Sequence, residues 1–265
     1  MTSTKQQHDE DQNAQSGSAV YVYGIVPGDV EVEDDAEGIG DPPGKVEIIR
    51  EGDIAALVST VSTDRALGKP ADLQAHAALL DGTASVAPVL PLRFGAVMTD
   101  AESVASELLR EHHDEFAHTL KALEGHAEYI VKGRYQEEAF LSDLLSENDQ
   151  ARGLRDDIRA KPEEAARNSR MALGELIANT IEAARQADTQ RVIDELKGIA
   201  EQVNAREPTH EWDAVHVAVL ARVDREADLQ EIVERLNESA RGRMELRMRG
   251  PVAAYDFVVT ATPEA

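Results

Sequence analysis

Histidines and acids cluster on one predicted helix, and these residue types could bind a metal or transfer a proton. His112, His113 and His118 lie close to Asp114 in the sequence. Asp114 and His118 are four residues apart, a spacing at which two ligands share one face of a helix. However, His112 falls on the apolar stripe of this helix, and the His-Glu-x-x-His spacing of helical metalloenzymes does not occur. We therefore interpret the cluster as surface and partly buried histidines and predict no metal site.

Arginines concentrate near the end of the chain, where four lie within the nine residues 241–249. Apolar and charged residues alternate there, Met244, Leu246 and Met248 with Glu245, Arg247 and Arg249. This period of two predicts a half-buried strand that presents guanidinium groups on its polar face and ends at Gly250-Pro251. The arginines either pair with nearby acids such as Glu245 or bind an acidic or carbonyl-rich partner. The sequence leaves both interpretations open.

Arg93 lies in a second distinctive segment, Pro88–Val97, which is otherwise mainly apolar. An unpaired guanidinium inside such a segment would be costly, because buried charges require partners. We therefore expect the side chain of Arg93 to tie the loop to carbonyls or to a carboxylate. The alternative is that Arg93 contacts an anion or a partner protein.

Other signatures of catalysis or cofactor binding do not occur. The glycines of segment 38–44 have the wrong spacing for a dinucleotide loop, and Asp41 with two prolines replaces the helix amino terminus that a phosphate needs. The sequence contains no P-loop and no Gly-x-Ser-x-Gly elbow. Carboxylates are too abundant for any pair to stand out as general acid and base. We predict no catalytic residue and no cofactor.

Composition and charge narrow the class of protein further. The 265 residues carry a formal net charge of −24, so the surface repels nucleic acid and anionic membranes. Cysteine is absent, which excludes disulfides, thiolate catalysis and Cys-based metal sites. Residues 1–18 lack the apolar core of a secretory signal, and no apolar run approaches the ~20 residues that span a membrane. We expect a cytoplasmic protein without a nucleic-acid or lipid partner.

Periodicity in the first half of the chain predicts an α+β layer. A strand at 20–26 precedes an acidic, mobile loop at 27–45, and two strands flank a tight turn at 51–53. A helix begins near Pro70 with the apolar stripe Leu73, Ala77 and Leu80. Thr99 and Glu102 form a capping box for a longer helix, and a strand at 129–131 follows.

The second half is predicted to be helical over 137–206, with Pro162 in the first turn of a helix and a possible break at 187–190. A strand then runs over 215–223, followed by a helix through Leu229 and Leu236 and by terminal strands that include 255–259. We predict an α+β fold with a disordered acidic tail (1–19) and two domains. The first (20–136) is a ferredoxin-like α/β sandwich, and the second (137–265) packs long helices on a small sheet.

Three motifs together resemble the gas vesicle protein F/L family. They are Tyr21-Val-Tyr-Gly-Ile-Val26, Leu90-Pro-Leu-Arg-Phe-Gly-Ala-Val97, and Glu245-Leu-Arg-Met-Arg-Gly-Pro251 with Tyr255 and Phe257. The resemblance covers about residues 20–260. One departure is that Val252, Ala253 and Ala254 stand where members of the family commonly have an aromatic residue and a proline pair.

The resemblance implies a non-enzymatic accessory protein for building gas vesicles, the gas-filled protein shells that give cells buoyancy. It implies two α+β domains and partners that include the small hydrophobic shell protein and other accessory proteins. The partner-binding candidates within the motifs are Arg93, Phe94, Arg247, Arg249, Tyr255 and Phe257. A different class remains possible, because ferredoxin-like modules also serve as small-ligand regulators or cofactor-independent enzymes. Such a role would need a pocket with converging polar groups, for which His76, His112 and Arg93 are the available side chains.

Overall fold

The structure is a computed structural model that describes residues 17–33, 35–64 and 66–258. Backbone contacts divide the chain into two compact units. The first contains the described residues up to Ala127 and those from Pro251 onward, and the second is Glu128–Gly250. The predicted boundary at residue 136 stays a prediction. Most of the predicted tail lies outside the described residues.

The sheet of the first unit consists of Ser18–Pro27 (β1), Glu37–Gly40 (β2), Pro43–Glu51 (β3), Ile54–Ser62 (β4), Leu90–Pro91 (β5) and Val97–Met98 (β6). Its order is β2-β3-β4-β1-β5, and β6 also pairs with β1. β4 is antiparallel to both β1 and β3. The predicted first strand and the predicted hairpin are therefore confirmed. The ferredoxin-like arrangement of this unit stays a prediction.

Side chains on the two faces of β1 belong to two separate apolar clusters. Tyr21 and Tyr23 lie in one cluster, whereas Val22 and Ile25 lie in the other. Successive side chains of a strand point to opposite faces, so residues 21 and 23 share a face. The register with β4 shifts between Val22 and Gly24, which brings Ile25 back to the face of Val22.

The acidic segment 27–45 was predicted to be a mobile loop that stays out of the core, and this prediction was wrong. The segment contains β2 and the start of β3, which pair in antiparallel fashion. Ile39 is fully buried, and its backbone N–H donates to Tyr23 Oη over 2.8 Å. Ile39 belongs to the apolar cluster that contains Tyr21 and Tyr23, and Val30, Val32 and Ala36 of the same segment pack against it, so this acidic segment is part of the core.

The first helix, α1 (Pro70–Ala84), begins where the sequence predicts, but its buried face is different. Asp72, His76 and Leu80 are buried, whereas Leu73 is 48% exposed. Polar residues can occupy the inner face because hydrogen bonds satisfy them. The predicted stripe was therefore wrong at Leu73.

The second helical stretch of this unit contains Ala101–Ser103 (α2), a π-helical segment at Val104–Arg110 and His113–Leu123 (α3). The apolar members of the stripe predicted from Val104 to Leu123 are buried, including Leu108, Phe116 and Leu120, whereas His112 on this stripe is half-buried. The predicted capping box was wrong, because Asp100 is the capping residue. Its Oδ1 accepts from Ser103 N–H at 2.8 Å.

The second sheet consists of His126–Tyr135 (β7), Gln202–Ala205 (β8), Asp213–Arg222 (β9) and Met244–Val252 (β10), in the order β10-β7-β9-β8. Its helices are Glu137–Glu147 (α4), Asp149–Ala160 (α5), Arg167–Leu196 (α6) and Glu226–Ala240 (α7). The helix α6 packs against β9, as expected for long helices on a small sheet. The predicted α+β class is confirmed.

Four details of the second half differ from the sequence prediction. The range 137–206 was predicted to be helical, but its end forms the strand β8 at Gln202–Ala205. α6 runs for 30 residues without a break at 187–190. Pro162 lies before α6, in a turn where its carbonyl accepts from Ala166 N–H. Residues 255–258 form a turn and a bend, so the terminal strand predicted from Tyr255 was wrong over this range, and Val259 lies outside the described residues.

Candidate functional site

Residues of all three sequence motifs meet around one side chain of the first unit, His76 of α1. Its Nδ1 lies 2.9 Å from Tyr21 Oη, and its Nε2 lies 2.9 Å from Tyr255 Oη. Tyr21 Oη also accepts from the backbone N–H of Gly95 over 3.1 Å. These hydrogen bonds connect β1, the loop after β5 and the terminal turn, and the imidazole ring of His76 lies at their centre.

Aromatic rings pack around these hydrogen bonds. We call the group the His76 cluster, and it comprises Tyr21, Tyr23, His76, Phe94 and Tyr255. The ring of His76 lies 5.5 Å from that of Phe94 and stacks on that of Tyr23 at 5.8 Å. Tyr21 and Tyr23 contact each other edge-on with centroids 4.9 Å apart. Such contacts fix ring orientations as well as burying apolar area.

Burial sets the protonation of the His76 cluster. It lowers the pKa of His76 to about 4, against the opposing effect of a backbone hydrogen bond at Leu92. The ring is therefore neutral near pH 7, and only one nitrogen carries a proton. Burial also raises the pKa of Tyr21, so its hydroxyl stays protonated. The neutral ring therefore donates to one of the two tyrosine hydroxyls and accepts from the other.

The terminal segment is attached to the first unit at a second point as well. The backbone N–H of Ala253 donates to Asp81 Oδ1 over 3.2 Å, and both Ala253 and Ala254 are buried. These small side chains occupy the positions where the sequence departs from the family pattern. The segment is held by Asp81, by burial of the two alanines and by Tyr255.

The arginine-rich segment 241–249, which we call the arginine strand, enters β10 at Met244 and has an internal ion pair just before it. Arg243 Nη2 donates to Asp188 Oδ1 over 2.7 Å, and Tyr135 Oη donates to Asp188 Oδ2 over 2.7 Å. The guanidinium of Arg243 also lies 5.6 Å from the centre of the Tyr135 ring. Burial and the Asp188 carboxylate raise the pKa of Tyr135, so the tyrosine remains a donor. This arginine is a structural residue of the second unit.

The rest of the strand follows the predicted alternation. Met244 and Leu246 are buried, whereas Arg247 and Arg249 are exposed. Arg247 pairs with Glu245 of the same strand at 2.7 Å, and its side chain is 79% exposed. Pairing with an acid within the chain, one of the two predicted alternatives, thus applies to Arg247 and Arg243.

Arg93 was expected to be tied into its apolar segment, and this expectation was wrong. Its side chain is exposed, and the backbone carbonyl of Arg93 accepts from Ala96 N–H. Neighbouring Phe94 is half-buried in the His76 cluster, and Phe257 is half-buried in the terminal turn. In the segment Pro88–Val97, Phe94 therefore packs within the chain, whereas Arg93 is exposed to solvent.

The histidine-rich helix makes local ion pairs. His113 lies between Asp53 at 2.8 Å and Asp114 at 3.3 Å, and these bonds, that to Asp114 first, raise the pKa of His113. Among the residues that the structure describes, no three His, Asp or Glu side chains are grouped to hold a metal ion. In the ranges 17–33, 35–64 and 66–258, no helix combines the length and apolar character needed to cross a membrane.

Comparison with known proteins assigns this two-unit α+β protein to a family. The sequence matches the family described as "Gas vesicle synthesis protein GvpL/GvpF" over residues 19–259, and the chain therefore belongs to this family. The resemblance indicated by the three motifs is confirmed.

The sequences of individual relatives align with nearly the whole chain. "Gas vesicle protein F" of Streptomyces sp. (strain CB03234) is 32% identical, over 91% of this chain and 99% of the relative. "Gas vesicle protein L" of the same strain is 26% identical, over 89% and 91%. The crystal structure of GvpF from Anabaena sp. PCC7120 has a similar fold, with a TM-score of 0.72 and 24% identity over 91% of this chain and 98% of that chain.

Two features of the site were not found from the sequence. Tyr21 and Tyr23 were part of a motif, but their joint contact with His76 was not predicted. Their spacing of two residues on a strand was an available signal, because it puts both rings on one face. Asp188, the partner of Arg243, had no such signal among the many acids of α6.

Proposed function

We propose that this chain is a non-enzymatic accessory protein of gas vesicle assembly. In the cytoplasm it binds the small hydrophobic shell protein and other accessory proteins, and it keeps the shell protein dispersed until it is incorporated. The observation that carries the proposal is the family match over residues 19–259.

The charge of the chain supports an escort role. With a net charge of −24, copies of this chain repel one another. A complex of the chain with a client of low charge keeps most of this repulsion. An apolar client aggregates through its exposed apolar surface unless that surface is covered. An acidic protein that covers part of this surface therefore opposes aggregation in two ways.

The surroundings of His76 support a non-enzymatic role. His76 is buried, and both of its ring nitrogens are hydrogen-bonded to tyrosines. Its pKa of about 4 is far from the value that suits a general base near neutral pH. We infer that this imidazole is a structural connector between motifs.

The six predicted partner-binding residues then divide into two groups. Arg93, Arg247 and Arg249 are exposed, and we propose that these cations contact partner proteins. Phe94, Tyr255 and Phe257 are proposed to shape the adjoining surface, since their rings are at least partly packed within the chain.

Co-expression with the shell protein tests the proposal. The full chain, carrying an affinity tag, is expressed with the shell protein, and the soluble shell protein is measured before and after capture. We expect the chain to increase the soluble fraction and to retain the shell protein. An unrelated protein of similar size and negative charge is the control. Failure to co-purify would contradict the binding role.

A further inference from the structure

An open groove of about 600 Å³ lies in the first unit. It is lined by the end of β1, the segment after α1 and α3, with Ile54, Pro88 and Leu120 among its apolar residues. Val86 stands at its wall with 85% of its surface exposed, the largest value for a big apolar residue in the described chain. Binding sites combine such apolar contacts with a few polar groups in a concave surface, and this groove has both.

The walls of the groove are held in place by hydrogen bonds to backbone carbonyls. The N–H groups of Val86 and Ala87 both donate to the carbonyl of Thr83, at 3.0 and 2.9 Å. On the opposite wall, Arg50 donates to the carbonyls of Gly28 and Val30, at 2.9 and 3.0 Å. Because both walls are fixed, a ligand loses less free energy in ordering the site.

The charges at the groove are mostly negative. Four carboxylates line it, Asp29, Glu31, Asp53 and Glu124, against the single cation Lys121. Asp53 also lies 2.8 Å from His113 Nε2, which offsets part of its charge when that histidine is protonated. The remaining field favours a positively charged ligand, and the net charge of the chain acts in the same direction.

We propose that this groove binds a peptide segment of the shell protein that presents apolar side chains flanked by lysine or arginine. The apolar side chains pack on Val86 and Leu120, and the flanking cations lie beside Asp29, Glu31 and Glu124. The identity of the client rests on the proposed function, whereas the chemistry of the segment is inferred from the groove itself.

Peptide binding to the full chain tests this chemistry. The probe is a short fluorescein-labelled peptide with leucines between lysines, compared with versions in which glutamates replace the lysines or serines replace the leucines. We expect the lysine–leucine peptide to bind with the lowest Kd and to weaken as salt increases. Equal affinity for the lysine and glutamate versions would overturn the proposal.

Paired variants locate the binding site. Val86→Asp is expected to raise the Kd about tenfold, because a buried apolar contact is replaced by a charge. The control Leu73→Asp changes another exposed apolar residue of the same unit and should bind as the wild type does. The double variant Asp29→Lys/Glu31→Lys should weaken binding and flatten its salt dependence. Its control, Glu107→Lys/Glu111→Lys, makes the same change in net charge on exposed positions away from the groove lining.

Capture of the co-expressed shell protein separates the two proposals. If the wild type retains the shell protein and Val86→Asp retains it equally, the groove proposal is wrong and the proposed function stands. If the lysine–leucine peptide binds at Val86 but the shell protein is not retained, the inferred chemistry of the groove is supported, whereas the shell protein as its client and the proposed binding of the shell protein are both wrong. Circular dichroism of each variant verifies that the fold is intact.

Discussion

Tyr255 Oη lies 2.9 Å from His76 Nε2, and this hydrogen bond joins residues that are 179 positions apart. It attaches the terminal turn to the first helix of the same unit. The Tyr-x-Phe end of the third motif and the Tyr-x-Tyr start of the first therefore act on one imidazole. Residues of motifs that are far apart in the sequence therefore contact the same side chain.

Removing hydroxyl groups from the His76 cluster should destabilise the protein in a definite order. Tyr21→Phe leaves His76 Nδ1 without its partner in a buried site, whereas water can replace the hydroxyl at the exposed Gly95 N–H, so the change should cost about 2 kcal/mol of unfolding free energy. Tyr255→Phe should cost about 1 kcal/mol, since Tyr255 is 37% exposed and water can replace its hydroxyl. Urea denaturation of the two variants measures both values. An equal cost, or a larger cost at Tyr255, would contradict the assigned network.

The lowered pKa of His76 predicts a specific dependence of stability on pH. The histidine takes up a proton at its ordinary pKa of 6.5 when unfolded, but only near pH 4 when folded. Its contribution is therefore complete above pH 6.5 and is lost as the pH falls toward 4. The total loss is on the order of 3 kcal/mol. Denaturation curves at several pH values between these limits measure the slope.

His76→Gln is the control for this pH effect, because an amide both donates and accepts but does not titrate near neutral pH. The variant should be less dependent on pH than the wild type between pH 6.5 and 4. The acidic residues titrate in both proteins, so the difference between the two curves isolates His76. Identical slopes would show that His76 is not buried and neutral as described.

The two ion pairs of the arginine strand should respond differently to mutation. Arg243→Met leaves Asp188 buried with only Tyr135 as a partner, which should cost about 3 kcal/mol. Arg247→Met removes a solvent-exposed pair and should leave the unfolding free energy unchanged within error. Thermal and urea denaturation of both variants test this contrast. A large loss of stability in Arg247→Met would contradict the description of its pair as exposed.

Gly250 of the Gly-Pro signature should not tolerate a side chain. Its φ is 155°, and a Cβ would lie 2.5 Å from Tyr129 Cδ1 and 3.0 Å from the carbonyl oxygen of Glu128. Gly250→Ala should therefore destabilise the second unit by about 2 kcal/mol. The control Gly174→Ala, in α6 with open space around it, should stabilise the protein by about 0.5–1 kcal/mol. Urea denaturation distinguishes these opposite signs.

Elements determined by neighbouring residues were predictable from the sequence. The alternation in the arginine strand predicted burial of Leu246 and exposure of Arg247, and both are observed. The stripe of α7 through Leu229 and Leu236 is likewise buried. In these elements the apolar residues alone decide which face is inward.

Features that depend on distant polar partners were not predictable. The inner face of α1 includes His76 because Tyr21 and Tyr255 satisfy its nitrogens, and periodicity carries no information about such partners. Burial of Ile39 within the acidic segment 27–45 was missed for a similar reason, because its backbone N–H donates to the distant Tyr23 hydroxyl. The ion pair of Asp188 with Arg243 joins two residues that no local pattern connects.

Deletion in the gas-vesicle-forming host tests the central claim most directly. The gene for this chain is removed, and gas vesicles are counted by electron microscopy, with the intact gene supplied on a plasmid as the control. The assembly role predicts that the vesicles are lost or strongly reduced and that the plasmid restores them. Vesicles of normal number and shape in the deletion strain would contradict it.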